Sequence, residues 1–274
     1  MRKLLLFTLL LLPAAAMADQ KCEHSQPRNL QLDLAGVKAV VFDVGPHDLR
    51  IDAARGAKGT LQGRACASDA DALARLTLTQ HKSGDKLVVK LRHEGERSGI
   101  FFGSHYAYLN ISGSVPDNMP VQLKVGSGDA IVSGAASLSA DVGSGDVQAR
   151  RIRGQFTAAV GSGDIDAVDI GALHVLSVGS GDVTVKHVRG ASKIGSIGSG
   201  DLALDNTQGR LEIGSIGSGD AEVRDIGGSI AVDSIGSGDF AAEGVRGDLV
   251  VHSTGSGSVH HSGVTGSVDL PAKR

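Results

Sequence analysis

The chain has 274 residues, with 27 Lys and Arg against 30 Asp and Glu, 39 Gly, two Cys and no Trp. A hydrophobic fraction of 41% is enough for a packed core, so the composition excludes a disordered chain. The near-neutral charge and an aromatic content of 3% leave neither a long basic patch for phosphates nor platforms for stacking bases. A nucleic-acid-binding protein is therefore disfavoured.

The first residues have the features of a secretory signal. Arg2 and Lys3 precede an apolar run over residues 4–12, and the small-residue site Ala16-Met17-Ala18 comes after it. We expect residues 1–18 to be a signal peptide, which predicts an exported protein, periplasmic or extracellular at the cell surface. The run is shorter than the roughly 20 residues of a membrane-spanning helix, and no later stretch approaches that length. The mature chain is therefore expected to have no transmembrane segment.

Two cysteines in an exported chain predict a disulfide, because compartments outside the cytoplasm are oxidising. A bridge between Cys22 and Cys66 would close a loop of about 45 residues and stabilise the fold by roughly 3–4 kcal/mol in the chain-entropy model. Two unpaired, buried thiols are the alternative.

The sequence pattern of residues 19–120 predicts an irregular β segment. Alternating apolar residues indicate strands near 30–34, 37–44 and 49–51, and Asp69 is placed to cap a short helical turn. Ser83-Gly84-Asp85 between two alternating segments indicates a hairpin. Aromatic residues, among them Phe101, Phe102 and Tyr106, gather just before the glycine-rich half. We expect this N-terminal segment to cap the open end of the glycine-rich half, since an exposed sheet edge would template aggregation.

A repeat of 17–19 residues occupies residues 121–270. Each unit has two short alternating apolar segments separated by glycine turns, which predicts two strands per unit and leaves no room for a helix. A unit this small cannot bury its apolar face alone, so neighbouring units must stack. The sequence therefore predicts an all-β fold, a single-stranded parallel β-helix or β-solenoid of about eight coils, with residues 271–274 as a tail. Gly-Ser-Gly-Asp begins at Gly126, Gly143, Gly161, Gly179, Gly198, Gly217 and Gly236, and Gly-Ser-Gly-Ser begins at Gly255.

Stacking predicts a column of aspartates at one turn. We expect the turn glycines to supply positive φ and each Asp carboxylate to accept a backbone N–H two residues away. Carboxylates about 4.8 Å apart repel by about 0.9 kcal/mol even in bulk water. Backbone amides that offset this repulsion are one interpretation, and bound Ca²⁺ is the alternative; no other cofactor is expected. The column contains Asp129, Asp146, Asp164, Asp182, Asp201, Asp220 and Asp239.

The opposite turn carries basic residues. They indicate either a solvated face that resists aggregation or a face for an anionic partner such as an acidic glycan or a lipopolysaccharide phosphate. No nucleophile elbow and no H-E-x-x-H motif occurs, so no catalytic residue is assigned. A polysaccharide-processing enzyme would need two carboxylates within about 10 Å on one flank. The residues of this face are Arg150, Arg151, Arg153, Lys186, Arg189 and Arg246.

The segments Ile111–Pro116, Met119–Val125 and Lys86–Leu91, together with the repeated Gly-Ser-Gly-Asp turns, resemble the bacterial β-strand-repeat putative adhesins. That family is a domain of unknown function related to the head-GIN group. The resemblance implies a secreted or periplasmic β-helical protein with an adhesive or envelope-associated function, and it brings no catalytic residues.

Three functions are compatible with the sequence. The leading one is a non-enzymatic, exported structural or adhesin-like protein with a glycan or protein partner in the envelope or outside the cell. The alternatives are a calcium-stabilised repeat protein and a polysaccharide-processing enzyme.

Overall fold

A computed structural model describes residues 22–95 and 105–272. The predicted signal peptide and the residues Phe101 and Phe102 lie outside these ranges. The described chain contains 24 strands and one helix, α1 (Ala70–Arg75). Within these residues no helix is long and apolar enough to cross a membrane.

The strands fall into an N-terminal and a glycine-rich set. The first set is β1 (His24–Gln31), β2 (Ala39–Gly45), β3 (Asp48–Ala54), β4 (Thr60–Ala67), β5 (Leu76–Ser83), β6 (Lys86–His93) and β7 (Ala107–Pro116). The second set is β8 (Val121–Val125), β9 (Ala130–Ser133), β10 (Leu138–Val142), β11 (Val147–Arg150), β12 (Gln155–Val160), β13 (Ile165–Ile170), β14 (Ala172–Val178), β15 (Val183–Val188), β16 (Ser192–Ile197), β17 (Leu202–Thr207), β18 (Leu211–Ile216), β19 (Ala221–Ile226), β20 (Ile230–Ile235), β21 (Phe240–Val245), β22 (Leu249–Val251), β23 (Val259–Ser262) and β24 (Val268–Asp269).

Two facing sheets of 12 strands each are built by the chain passing alternately between them. Sheet A has the order β1-β4-β7-β3-β9-β11-β13-β15-β17-β19-β21-β23. Sheet B has the order β24-β22-β20-β18-β16-β14-β12-β10-β8-β2-β6-β5. From β8 onward every pairing is parallel and joins equivalent strands of successive coils, as Val183, Val185 and Val188 of β15 pair with Leu202, Leu204 and Thr207 of β17. The predicted parallel β-solenoid of about eight coils is confirmed.

The core lies between the two sheets and results from the alternation in the sequence. In β11 the side chains of Val147 and Ala149 are fully buried, whereas Gln148 and Arg150 face outward. Because equivalent residues stack in register, each inward position forms a column of aliphatic side chains along the solenoid.

The N-terminal segment extends the same two sheets. Strands β2 and β3 pair in parallel with β8 and β9, so they form one more coil at the start of the stack. Beyond them, β5 and β6 form the predicted hairpin, and β1 and β4 pair antiparallel at the edge of sheet A. Asp69 is the N-cap of α1, as predicted, because its Oδ1 accepts the N–H of Ala72 at 2.7 Å. The boundary at residue 120 stays a prediction.

The predicted disulfide is present in the structure. Cys22 precedes β1 and Cys66 lies in β4, where it is fully buried. The bond ties the start of the described chain to the neighbouring strand. It therefore fastens the outermost strand of sheet A to the body of the fold.

Candidate functional site

One edge of the solenoid, here called the aspartate edge, is formed by the stacked Gly-Ser-Gly-Asp corners. In the six aspartates from Asp129 to Asp220, Oδ1 accepts the backbone N–H of the aspartate in the next coil, at distances of 2.8 to 3.2 Å. The expected partner two residues away in the same turn was therefore wrong. The bond crosses between coils because the parallel stack brings equivalent residues together. The structure places all seven predicted aspartates in this column.

The corner glycines are required by the close approach of successive coils. The third residue of each corner is glycine because a Cβ there would meet the carbonyl oxygen of the preceding coil. At Gly145, for example, it would lie 1.8 Å from the Gly128 oxygen. None of the Gly-Ser-Gly-Asp glycines has positive φ. Our expectation that these glycines supply left-handed turns was therefore wrong.

The aspartate column is longer at its start than the sequence motif indicates. Gly45-Pro46-His47-Asp48 forms the corner of the first coil. The Gly45 carbonyl accepts the N–H groups of Gly126 and Gly128, and the Gly126 carbonyl accepts those of Ser144 and Gly145 in the next coil. Burial raises the pKa of Asp48, an effect opposed by its hydrogen bond from the N–H of Asp129. The sequence analysis missed this corner.

At the other end of the column, Ser258 replaces aspartate. Its hydroxyl and its backbone N–H both donate to Asp239 Oδ1, at 2.8 and 2.9 Å, and lower the pKa of that carboxyl. Across the described residues, no group of three or more His, Cys, Asp or Glu side chains is arranged to hold a metal ion. The structure therefore shows backbone N–H groups as the partners of the column.

The opposite edge, here called the basic edge, carries the predicted cationic residues. Arg150 donates to the Gln148 amide oxygen at 3.2 Å and Arg151 to the Ser133 hydroxyl at 3.3 Å. Lys186 is exposed and, in the part of the chain that the structure describes, has no ion-pair partner. Among the described residues, these three cations thus form no ion pair with a carboxylate.

The remaining predicted cations divide into two groups. Arg153 pairs with Asp117 at 3.0 Å, and Arg189 donates to the Arg153 carbonyl at 3.2 Å, which holds its guanidinium over the earlier corner. Arg246 is equivalent to Arg189 but lies three coils further on, about 14 Å away at 4.8 Å per coil. The structure therefore clusters the first five cations and separates Arg246 from them.

A column of left-handed residues runs beside the basic edge. Five non-glycine residues have positive φ there, and the equivalent positions of other coils hold Gly134, Gly244 and Gly263. A non-glycine residue in this region carries steric strain. The sequence analysis missed this column because its members differ in type. They are Arg151, Asp169, His187, Asn206 and Asp225.

Comparisons with known proteins agree with this architecture. The Toastrack DUF4097 family model matches residues 37–273, so the chain belongs to that family of unknown function. A putative adhesin from Parabacteroides merdae shares the fold at 15% identity and a TM-score of 0.53, over 88% of this chain and 97% of that one. A comparison with curated proteins finds no match.

Two further solved structures have lower TM-scores. A putative lipid binding protein from Parabacteroides distasonis is 16% identical over 90% of this chain and 98% of its own, with a TM-score of 0.48. A putative adhesin from Bacteroides fragilis is 14% identical over 90% and 97%, with a TM-score of 0.45.

Proposed function

We propose that the protein is an exported, non-enzymatic, adhesin-like β-solenoid that binds an anionic component of the cell envelope or of the cell's surroundings through its basic edge. The observation that carries the proposal is the set of three exposed cations, Arg150, Arg151 and Lys186, that form no ion pair with any carboxylate the structure describes. Unpaired cations gathered on one edge attract anions and accelerate their association.

The stacked architecture supports a binding role. Backbone hydrogen bonds run from coil to coil through both sheets and through the aspartate edge. The backbone under the basic residues is therefore fixed before a partner arrives. Preorganisation of this kind reduces the entropy that binding must overcome.

Export is supported by two independent features. The predicted signal peptide gives a route out of the cytoplasm, and the Cys22–Cys66 disulfide is typical of an oxidising compartment. The family resemblance and the Parabacteroides merdae putative adhesin of the same fold agree with a binding protein that works outside the cytoplasm.

One pair of carboxylates shares a cleft, as the two carboxylates of a catalytic dyad would. Glu222 and Glu243 line a shallow cleft of about 220 Å³ on sheet A, and both pair with the guanidinium of Arg224. A polysaccharide-processing enzyme would need two carboxylates free to act on the substrate. Here both carboxylates share one arginine as their ion-pair partner. This arrangement supports an ion-pair cluster rather than a catalytic pair.

The test is binding of the mature protein, residues 19–274, to purified envelope fractions on a biosensor surface. The triple variant Arg150→Gln/Arg151→Gln/Lys186→Gln should bind about tenfold more weakly or worse, with a shallower dependence on salt. The control Arg50→Gln/Arg224→Gln removes cations that already have carboxylate partners and should change binding little. Unchanged binding by the triple variant, or no binding by the wild type, would contradict the proposal.

A further inference from the structure

Two clefts flank one corner of the basic edge, between the coils of β13, β15 and β17. The first has a volume of about 220 Å³ and lies toward sheet A; the second has about 270 Å³ and lies toward sheet B. The first is lined by Asp169, His187, Arg189, Asn206 and Gln208, with Val188. The polar lining of the second includes His174, Ser192, Lys193, Arg210 and Glu212.

In the middle coil only Gly190 lies between Arg189, which lines the first cleft, and Ala191, which lines the second. A Cβ at this position would lie 2.8 Å from the Gly171 carbonyl oxygen, so the stacking of coils requires glycine here. Because glycine has no side chain, the ridge between the clefts is bare backbone. An extended ligand can therefore pass from one cleft to the other across the corner.

Each cleft offers a cation and free polar groups. Arg189 uses one guanidinium nitrogen on the backbone carbonyls of Ile152 and Arg153, and its other N–H groups remain available. Lys193 is exposed and has no ion pair within the described ranges. Asn206 and Gln208 make no side-chain hydrogen bond to any described residue, so their amides are open to a ligand's hydroxyl groups.

Two buried hydroxyls mark the same corner. Ser192 and Thr207 are each 1% exposed, and Ser192 Oγ and Thr207 Oγ1 have no hydrogen-bond partner in the described chain. The equivalent inward positions of neighbouring coils hold aliphatic residues, Leu173 and Leu211 for Ser192. An unsatisfied buried hydroxyl destabilises a fold, and Ser192 lines the second cleft. One such hydroxyl lies on each side of this corner, and unsatisfied buried polar groups of this kind are typical of functional sites.

We propose that this corner binds an acidic polysaccharide, which identifies the ligand class of the function proposed above and rests on it. A chain of sugar units bearing carboxylates lies across Gly190, with one carboxylate at Arg189 and another at Lys193. The side-chain oxygens of Asn206 and Gln208 accept hydrogen bonds from sugar hydroxyls. The Asp169 carboxylate, whose Oδ1 lies 3.4 Å from His187 Nδ1, accepts another through its second oxygen.

The lining also separates this ligand class from nucleic acids. No Phe, Tyr or Trp side chain lines either cleft, so the large stacking surfaces that nucleic-acid-binding proteins offer to bases are missing. A polyphosphate chain has no sugar hydroxyls for the amides of Asn206 and Gln208 to contact.

The experiment is calorimetric titration of the mature protein with polygalacturonate oligosaccharides, with dextran as the uncharged probe and polyphosphate as the phosphate probe. Wild type should bind polygalacturonate, and it should bind dextran and polyphosphate much more weakly. The double variant Arg189→Gln/Lys193→Gln should lose about tenfold or more in affinity. The matched control Lys58→Gln/Lys124→Gln removes two exposed cations outside both clefts and should lose less than about twofold.

Three results would overturn the assignment. They are equal losses in the two double variants, polyphosphate binding as tight as polygalacturonate binding, and no binding of polygalacturonate by wild type. The envelope-fraction assay tests the proposed function separately. If wild type still binds those fractions, the proposed binding function stands and only the ligand or the surface assigned here is wrong. Thermal melts of all variants check that they are folded.

Discussion

The α-carbon of Gly219 lies so close to the carbonyl of Gly200 in the preceding coil that a Cβ would sit 1.9 Å from that oxygen. The same relationship recurs at every corner of the aspartate edge, from Gly128 to Gly257. Glycine is therefore required at the third position of each corner, because any side chain there would prevent the close spacing between coils.

Replacing Gly219 by alanine should separate two coils locally and destabilise the fold by about 1–3 kcal/mol, as overpacking does elsewhere. Chemical denaturation measures this change. Ser218→Ala at the neighbouring exposed corner residue is the control and should be nearly neutral. Equal stabilities of the two variants would show that the coils have room for a side chain at this corner.

Replacing an aspartate of the column by asparagine and replacing it by alanine should have different effects on the stability of the fold. Asp201→Asn keeps an oxygen acceptor for the Asp220 N–H and removes repulsion from two neighbours, so its stability should match or exceed that of wild type, most clearly at low salt. Asp201→Ala removes the acceptor and should cost about 0.5–1.5 kcal/mol. Urea unfolding of both variants at low and high salt tests the ranking, and a large loss in the Asn variant would contradict it.

Calcium should leave stability unchanged. The aspartate Oδ1 atoms are hydrogen-bonded to backbone N–H groups, and no triad of metal-ligating side chains occurs among the described residues. We expect the same melting temperature in millimolar calcium and in chelator. A specific site at 100 times its dissociation constant would add about 2.7 kcal/mol and raise the melting temperature.

The left-handed column predicts a side-chain preference at Gly244. This residue has φ of 68°, so Gly244→Ala should cost about 1–2 kcal/mol. Gly244→Asn should cost less, because asparagine tolerates this region and Asn206 adopts φ of 57° two coils earlier. Thermal unfolding of the two variants gives the order, and a more stable alanine variant would be inconsistent with the strain.

His47 should make the N-terminal coil sensitive to acid. Burial first, then the charges of His93 and Arg92, lowers the pKa of its imidazole to about 4. Its Nδ1 accepts the Leu109 N–H at 3.3 Å, and its Nε2 has no partner among the described residues. The unfolded chain protonates this side chain near 6.5 and the folded chain near 4. The neutral imidazole therefore makes its full contribution to the free energy of unfolding above pH 6.5. This contribution is lost as pH falls toward 4.

The predicted loss is up to about 3 kcal/mol between pH 7 and pH 4. His47→Asn retains an acceptor for the Leu109 N–H and has no titrating group, so its stability should change less over this interval. Urea unfolding at several pH values measures the difference. Parallel pH profiles for wild type and the variant would contradict a role for His47.

The repeated corners predicted the stack, the two sheets and the aspartate column because their spacing is regular. The first corner was missed since Pro46 and His47 replace serine and glycine, although Gly45 and Asp48 keep the motif's outer positions. The inter-coil hydrogen bonds were missed because partners 17–19 residues apart meet only after stacking. The clefts beside Gly190 depend on side-chain packing across three coils, which no single repeat encodes.

The aspartate edge and the basic edge both require that equivalent corners lie in one column with a constant rise per coil. Distances between spin labels at corner serines test this most directly, using the pairs 144/218, 127/218 and 127/237. They are separated by four, five and six coils, and at about 4.8 Å per coil the backbone separations should be about 19, 24 and 29 Å. Distances that increase in equal steps are the predicted result. Distances that do not track the number of intervening coils would contradict the stacked arrangement on which the basic and aspartate edges depend.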